Sequence, residues 1–166
     1  MDSHFLSAPP DRNLPLIMAL LGAWNSHFLR ARTLHIAPYA HGLSLLVPFV
    51  QQLEMESNGK RTHLDGGPVA TSTAPVVWGG LGMVGQHAYF QFLHQGTQWV
   101  PVDFIGVRQT ESTMPLAIEQ HQMVLGQMMA QAQALALGRD AQQTRSLLMA
   151  EGLRAEEIER LVEIGR

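Results

Sequence analysis

The sequence contains no cysteine in 166 residues, which excludes a disulfide framework and a thiolate metal site. It also has no basic cluster: eleven Lys and Arg are scattered and the net charge is −3, which argues against a nucleic-acid partner. The most apolar early run, residues 14–21, is too short to span a bilayer and follows no positive cluster. These absences predict a cytoplasmic protein with neither a signal peptide nor a membrane anchor.

The size and hydrophobic pattern of the chain predict one α/β domain. A chain of 166 residues, 46% of them hydrophobic, can bury one core of ordinary size. Residues 75–78 and 99–107 have the composition of buried strands, and residues 85–95 between them have helical periodicity. Parallel strands joined by a crossover helix indicate a three-layer, flavodoxin-like sandwich with a mainly parallel sheet. From about residue 114 onward, a helical extension of a single domain over residues 1–166 is expected.

Local signals set the boundaries of further elements. Asn13, followed closely by Pro15, predicts the start of a helix that packs on the sheet and runs to about Arg32, before a short strand over residues 33–37. Three helices are predicted in the C-terminal part, over residues 120–137, 141–150 and 155–164, with breaks near Gly138 and Gly152.

A further amphipathic helix is predicted over residues 43–53, with a kink or a restart at Pro48. The polar stretch that follows contains Asn58 and Gly59, two residue types that adopt the left-handed backbone conformation at many helix ends. We therefore expect a C-terminal cap there.

Gly80, Gly82 and Gly85 form a GxGxxG pattern between a predicted strand and a helix, with Asp103 in the next strand. In dinucleotide-binding domains such glycines let the backbone approach a pyrophosphate, and an acid about 20 residues further on binds the ribose. Asp103 is predicted inside its strand rather than at the carboxyl end, where a ribose would lie. A nicotinamide-dependent oxidoreductase domain is therefore the weaker alternative.

His87 and His94 lie seven residues apart in one predicted helix, with Gln91 between them. A metal site would need a third ligand, usually a carboxylate, and the nearby glutamines are poor ligands. Hydrogen-bonding roles are favoured, and no metal is predicted.

Three blocks resemble, in the same order, the phosphoglucose isomerase family. Residues 51–60 read QQLEMESNGK and match the family's glutamine pair followed by MESNGK. Residues 78–105 are similar to its strand, glycine loop, GQH helix, HQGT turn and DF strand. The opening blocks MDSHF, NLPLIMALLGAWNSHF and APY also match in order and spacing. The resemblance covers nearly the whole chain and implies a sugar isomerase (SIS) type domain of the family's C-terminal half.

The resemblance implies an enzyme that interconverts glucose 6-phosphate and fructose 6-phosphate through an enediol, without a cofactor. Glu56 matches the family's proton-transferring glutamate, His87 its ring-opening histidine and Gln52 a substrate-contacting glutamine. A homodimer is implied, with His87 contributed across the interface. The predicted places of Glu56 at a helix C-terminus and of His87 in the first turn of a helix would make the carboxylate more basic and keep the imidazole neutral.

The glycine loop departs from the family's usual WGEPGTNGQH. Gly80 replaces an acid and Leu81 a proline, and Met83 with Val84 replaces threonine and asparagine, so loop hydrogen bonds are lost. The family's GGRxS segment, its Ser- and Thr-rich phosphate pocket, its FDQxGVExGK segment and its catalytic lysine have no counterpart. We therefore expect an excised fragment or a degenerate gene piece without activity of its own, or alternatively a non-catalytic domain that binds a phosphosugar.

Overall fold

The computed structural model describes residues 2–110 and 112–164, so Met1, Glu111, Gly165 and Arg166 of the predicted domain lie outside the described residues. The strands are β1 (Thr33–Pro38), β2 (Val76–Gly79) and β3 (Val102–Ile105). The helices are α1 (Asp2–Ser7), α2 (Leu14–Ala23), α3 (Leu46–Gln51), α4 (Gly82–Ala88), α5 (Phe90–Gln95), α6 (Ala117–Leu137), α7 (Ala141–Ala150) and α8 (Ala155–Ile164). Short 3-10 turns stand at Pro10–Arg12 and His41–Leu43, and π-helical turns prolong α2 over Trp24–Phe28 and α3 over Gln52–Glu56.

The sheet is parallel with the strand order β2-β1-β3, which confirms the predicted α/β architecture. Neighbouring residues of a strand point to opposite faces. Ile36 packs with Val47 of α3 in one cluster, whereas Ala37 packs with Phe90 of α5 in the other. Helix α6 joins the second cluster through Val124 and Met128. Helix α3 therefore covers one face of the sheet, and α5 and α6 cover the other.

The sequence signals at several helix ends are confirmed. The Asn13 side chain accepts a hydrogen bond from the Leu16 amide at 3.2 Å and donates one to the Phe5 carbonyl at 2.7 Å, so it caps α2 and also holds α1. Helices α7 and α8 have the predicted bounds. Gly138 and Gly152 have φ values of 61° and 82°, a conformation that favours glycine and ends the preceding helices.

Two predictions about α2 are wrong. The helix does not reach Arg32, because Arg30 has a φ of 57° and a right-handed helix cannot continue through that conformation. Nor does it pack on the sheet: none of its residues is buried, and Met18 and Leu21 are 63% and 55% exposed. The apolar spacing predicted the helix itself but not which surface its apolar side chains would contact.

The helix predicted over residues 85–95 is two helices, α4 and α5, separated at Tyr89. Tyr89 has a φ of −149° and a ψ of 1°, outside the helical region. Its ring lies edge-on to His35 and Trp78 with centroids 5.1 and 5.2 Å apart, so tertiary packing stabilises the break. The helix predicted over residues 43–53 begins at Leu46, so a restart near Pro48, one of the two predicted outcomes, is confirmed. The proline lies in the first turn, where no amide donor is needed.

Helix α4 packs closely against two tyrosine rings, and we call this contact the seat of α4. A Cβ atom at Gly82 would overlap the Tyr39 ring, and one at Gly85 would lie within 3 Å of Tyr89 atoms. Gln86 donates from Nε2 to the Tyr39 hydroxyl at 3.1 Å and fixes the same contact. Both glycines are therefore needed for close packing of the helix.

His35 in β1 is completely buried, and neither ring nitrogen has a hydrogen-bond partner among the described residues. Its ring is surrounded edge-on by Trp78, Tyr89 and Phe90. Burial in this aromatic cage lowers the pKa of His35 to about 4, because the apolar surroundings disfavour the charged imidazolium.

We predict that His35 makes the fold sensitive to acid. The unfolded chain binds the proton near pH 6.5 and the folded chain only near pH 4, so the free energy of unfolding falls as pH drops through that window. The full effect is about 3 kcal/mol. Urea titrations between about pH 4.5 and 7.5 measure it. His35→Leu should flatten the pH dependence, whereas the same change at exposed His63 should leave it intact. An unchanged slope in His35→Leu would contradict the prediction.

A second prediction concerns the seat of α4. Gly82→Ala should lower the free energy of unfolding by about 1–3 kcal/mol, because the new methyl group displaces the Tyr39 ring. The matched control is Gly126→Ala in the middle of α6, where no atom lies within 4 Å of the added Cβ. That change should be neutral or stabilising by up to about 1 kcal/mol. Equal stabilities of the two variants would argue against the tight seat.

Candidate functional site

Glu56 ends the π-helical prolongation of α3, so its predicted position at a helix end is confirmed. Its side chain is exposed and forms no ion pair with another described residue. The nearby cation, Lys60, donates instead to the backbone carbonyls of Glu56 and Ser57. Lysine therefore satisfies the orphan carbonyls of the helix end and leaves the carboxylate open to solvent.

The predicted left-handed cap after Glu56 is wrong, since neither Asn58 nor Gly59 has a positive φ. Asn58 instead donates from its side chain to the Glu54 carboxylate at 3.0 Å. Gly59 is needed for another reason: a Cβ there would overlap the carbonyl oxygen of Met55. The glycine of MESNGK thus allows a close approach of the chain to the helix end.

The two glutamines before this segment have different surroundings. Gln52 is exposed in the π-helical turns, with its side chain open to solvent. Gln51 donates from Nε2 to the carbonyl oxygen of Val77 at 3.0 Å and ties the end of α3 to β2. The family resemblance assigns substrate contact to Gln52 alone, whereas nothing in the sequence indicated the tie that Gln51 makes to β2.

His87 is exposed and lies in the last turn of α4 rather than in the first turn that was predicted. The reason is that α4 begins at Gly82 and the chain breaks at Tyr89. The positive end of the helix dipole therefore does not face the imidazole, and the argument for a neutral ring from that dipole does not apply.

One chain does not bring Glu56 and His87 together. Helix α3 packs on the Ile36 face of the sheet, whereas α4 is seated on Tyr39, which belongs to the cluster on the opposite face. Gln51 reaches Val77, the second residue of β2, so α3 runs back toward the amino end of the sheet. His87 instead follows the carboxyl end of β2. Glu56 and His87 therefore lie on opposite faces of the sheet and toward opposite ends of its strands.

The glycine pattern does not form a dinucleotide site in this structure. Gly82 and Gly85 face tyrosine rings rather than an open cradle. Asp103 lies inside β3, paired in register with Ile36, and its half-buried carboxyl has a pKa raised by burial. It is not at the carboxyl end of the strand, where a ribose would bind.

The two histidines considered as metal ligands belong to different helices, His87 to α4 and His94 to α5. The His94 ring nitrogen Nε2 pairs with the Gln131 side-chain oxygen of α6 at 2.9 Å. Within residues 2–110 and 112–164, no three His, Asp or Glu side chains are grouped so that they could hold a metal ion. No helix in the same ranges is long and apolar enough to cross a membrane.

A cavity of about 670 Å³ opens at the carboxyl ends of the strands. Its walls come from residues 38–43 at the end of β1, from the start of α4 and from the first turns of α6. Four residues after β3 complete them: Val107, Gln109, Thr110 and Ser112. Leu81, Met83 and Val84 of the altered glycine loop line it, whereas Glu56 and His87 do not. His121 of α6, which also lines it, was missed because no motif surrounds it.

Comparison with protein families gives one match over most of the chain. The family model described as phosphoglucose isomerase matches residues 1–164. A glucose-6-phosphate isomerase of Pseudomonas putida is 47% identical over 161 residues, which are 97% of this chain and 28% of the relative. One from Pseudomonas fluorescens is 48% identical over the same share. The chain therefore spans about 28% of the length of these curated relatives.

Two solved structures superpose on most of this chain. A glucose-6-phosphate isomerase from Chlamydia trachomatis superposes with a TM-score of 0.77 and 39% identity, over 84% of this chain and 28% of that one. A hypothetical protein from Thermus thermophilus, TT0462, superposes with a TM-score of 0.60 over 81% of this chain and 33% of that one. At 23% identity the second match shows the fold alone.

Proposed function

This chain belongs to the phosphoglucose isomerase family, and from that premise we propose that it carries part of an active site that interconverts glucose 6-phosphate and fructose 6-phosphate. The observation that carries the proposal is the exposed Glu56 carboxylate, which is free of ion pairs with described residues. Because the family's catalytic lysine has no counterpart here, we expect no turnover from this chain alone. The cytoplasmic location stays a prediction from composition.

Glu56 is the proposed proton carrier. Moving a carbonyl from C1 to C2 of a sugar phosphate requires a base that removes a proton from one carbon and returns it to its neighbour through an enediol. A carboxylate that ends a helix and meets no cation can take up and release that proton. A salt bridge would have held it in the ionised form. Lys60 avoids this by pairing with backbone carbonyls.

His87 and Gln52 are the proposed partners of Glu56. Opening the closed sugar ring needs a group that exchanges a proton with the ring oxygen, and imidazole does so near neutral pH. Gln52 offers both a donor and an acceptor for sugar hydroxyls. All three side chains are exposed, so a substrate in the surrounding solvent can reach them.

We propose further that two copies share each active site. Glu56 and His87 lie on opposite faces of one chain's sheet, so a single copy cannot direct both at one sugar. A dimer that places His87 of one copy beside Glu56 of the other would join them, and two-fold symmetry would form two such sites.

The role of Glu56 is tested in a chimera in which this chain replaces the matching segment of the Pseudomonas putida relative. Glu56→Gln should lower kcat by about 10²- to 10⁴-fold, because amide nitrogen and oxygen cannot relay the proton. Glu54→Gln, a matched change at a neighbouring carboxylate, should alter kcat less than about twofold. Coupled-assay kinetics provide the measurement.

Near-normal turnover in the Glu56→Gln chimera would refute the assignment. A folded chimera that binds fructose 6-phosphate without turnover would favour the alternative of a non-catalytic phosphosugar-binding domain.

The shared site is tested by complementation between Glu56→Gln and His87→Asn chimeras, each of which should be inactive. Co-expressed copies should recover about a quarter of full activity, because half of the dimers are mixed and each mixed dimer has one intact site. Isolating mixed dimers with two affinity tags provides the measurement. No recovery in isolated mixed dimers would show that each site uses a single copy.

A further inference from the structure

The strand order creates a crevice beside the central strand. From β1 the chain passes over the α3 face to β2, whereas from β3 it passes to α6 on the opposite face. The loops after β1 and β3 therefore separate at the carboxyl edge of the sheet. In open parallel sheets, ligands bind at such a reversal of strand order. The cavity of about 670 Å³ lies there, between residues 38–43 and the lining residues that follow β3.

The volume and composition of this crevice suit a small molecule without charge. Small-molecule sites have volumes of about 300–1,000 Å³, a range that includes this cavity. Its described lining contains no Lys, Arg, Asp or Glu, so no permanently charged side chain there pairs with a phosphate. The N-terminus of α6 adds no anion site, because Glu119 already places a negative charge in its first turn.

The wall at the start of α4 is apolar and open to solvent. Met83 and Val84 line the crevice and are 38% and 65% exposed. Covering them with an apolar ligand surface removes them from water, at about 25 cal/mol per Å². The hydrophobic effect therefore favours a ligand with an apolar body over one that is mainly polar.

His121 supplies a specific polar contact. Its Nε2 atom is buried and has no hydrogen-bond partner among the described residues. Buried polar atoms are nearly always paired, so the lack of a partner indicates a missing group. A hydroxyl can donate to an imidazole nitrogen or accept from it, so it pairs with either tautomer.

We propose that the crevice binds an uncharged small molecule with an apolar body and a hydroxyl group that pairs with His121. This site is separate from the phosphosugar site, because neither Glu56 nor His87 lines it. The binding event involves no covalent step, so it can be measured on the purified chain without turnover.

Three matched probes test the proposal by fluorescence titration: 2-naphthol, naphthalene and 2-naphthyl phosphate. We expect 2-naphthol to bind about fivefold more tightly than naphthalene, because only it pairs with His121. The phosphate ester should bind at least about tenfold more weakly than 2-naphthol, because its charge would be buried unpaired. Among the described residues, backbone amide shifts should be confined to residues 38–43, 81–84, 107–110 and 112–124.

Variants locate the site. Val84→Asp places a charge on the exposed wall and should weaken 2-naphthol binding at least about fivefold without loss of fold. Leu21→Asp on the exposed apolar face of α2 is the matched control and should leave binding unchanged. His121→Leu should remove the advantage of 2-naphthol over naphthalene, and fructose 6-phosphate should not displace the probe.

Several results would overturn the proposal: no saturable binding of 2-naphthol, equal binding of the phosphate ester, binding lost in Leu21→Asp, or displacement by fructose 6-phosphate. Failure of the isomerase chimera would leave this site unaffected, because the two tests use different residues and different ligands.

Discussion

The central position of β1 is the constraint on which the rest of the structure depends. It pairs in parallel with both neighbours, so the chain moves to one side of β1 to form β2 and must cross β1 again to form β3. Parallel crossovers are right-handed, and right-handed connections in opposite directions place their helices on opposite faces. The separation of α3 from α4 and α5 follows from that rule. The crevice at the carboxyl end of β1 also follows from that rule, because the loops after β1 and β3 lead to opposite faces of the sheet there.

The sequence predicted the local elements of the fold better than their partners. Periodicity and capping residues predicted β1, α7 and α8, because these signals depend on backbone geometry near the residue itself. The break at Tyr89 was missed, since no glycine or proline marks it and its cause is packing against His35 and Trp78. Helix α2 shows the same limit: its apolar spacing was visible, but that spacing does not specify which surface its apolar side chains contact.

The candidate site could be predicted as residue types but not as an arrangement. The MESNGK and GQH segments identified Glu56 and His87, yet nothing in either segment says that they face opposite layers. That information lies in the strand order, which depends on pairing between distant segments. The crevice could not be predicted either, because its walls come from four separate parts of the chain and His121 stands in no motif.

The residues of α4 that hold the helix in place differ from those that line the crevice. The helix is held by Gly82 and Gly85 against two tyrosine rings and by the Gln86 side chain. Met83 and Val84 are 38% and 65% exposed and form none of these contacts. Their side chains make this wall of the crevice apolar and contribute nothing to the packing that positions the helix. The polarity of the crevice and the placement of His87 can therefore vary independently, although both depend on the same short helix.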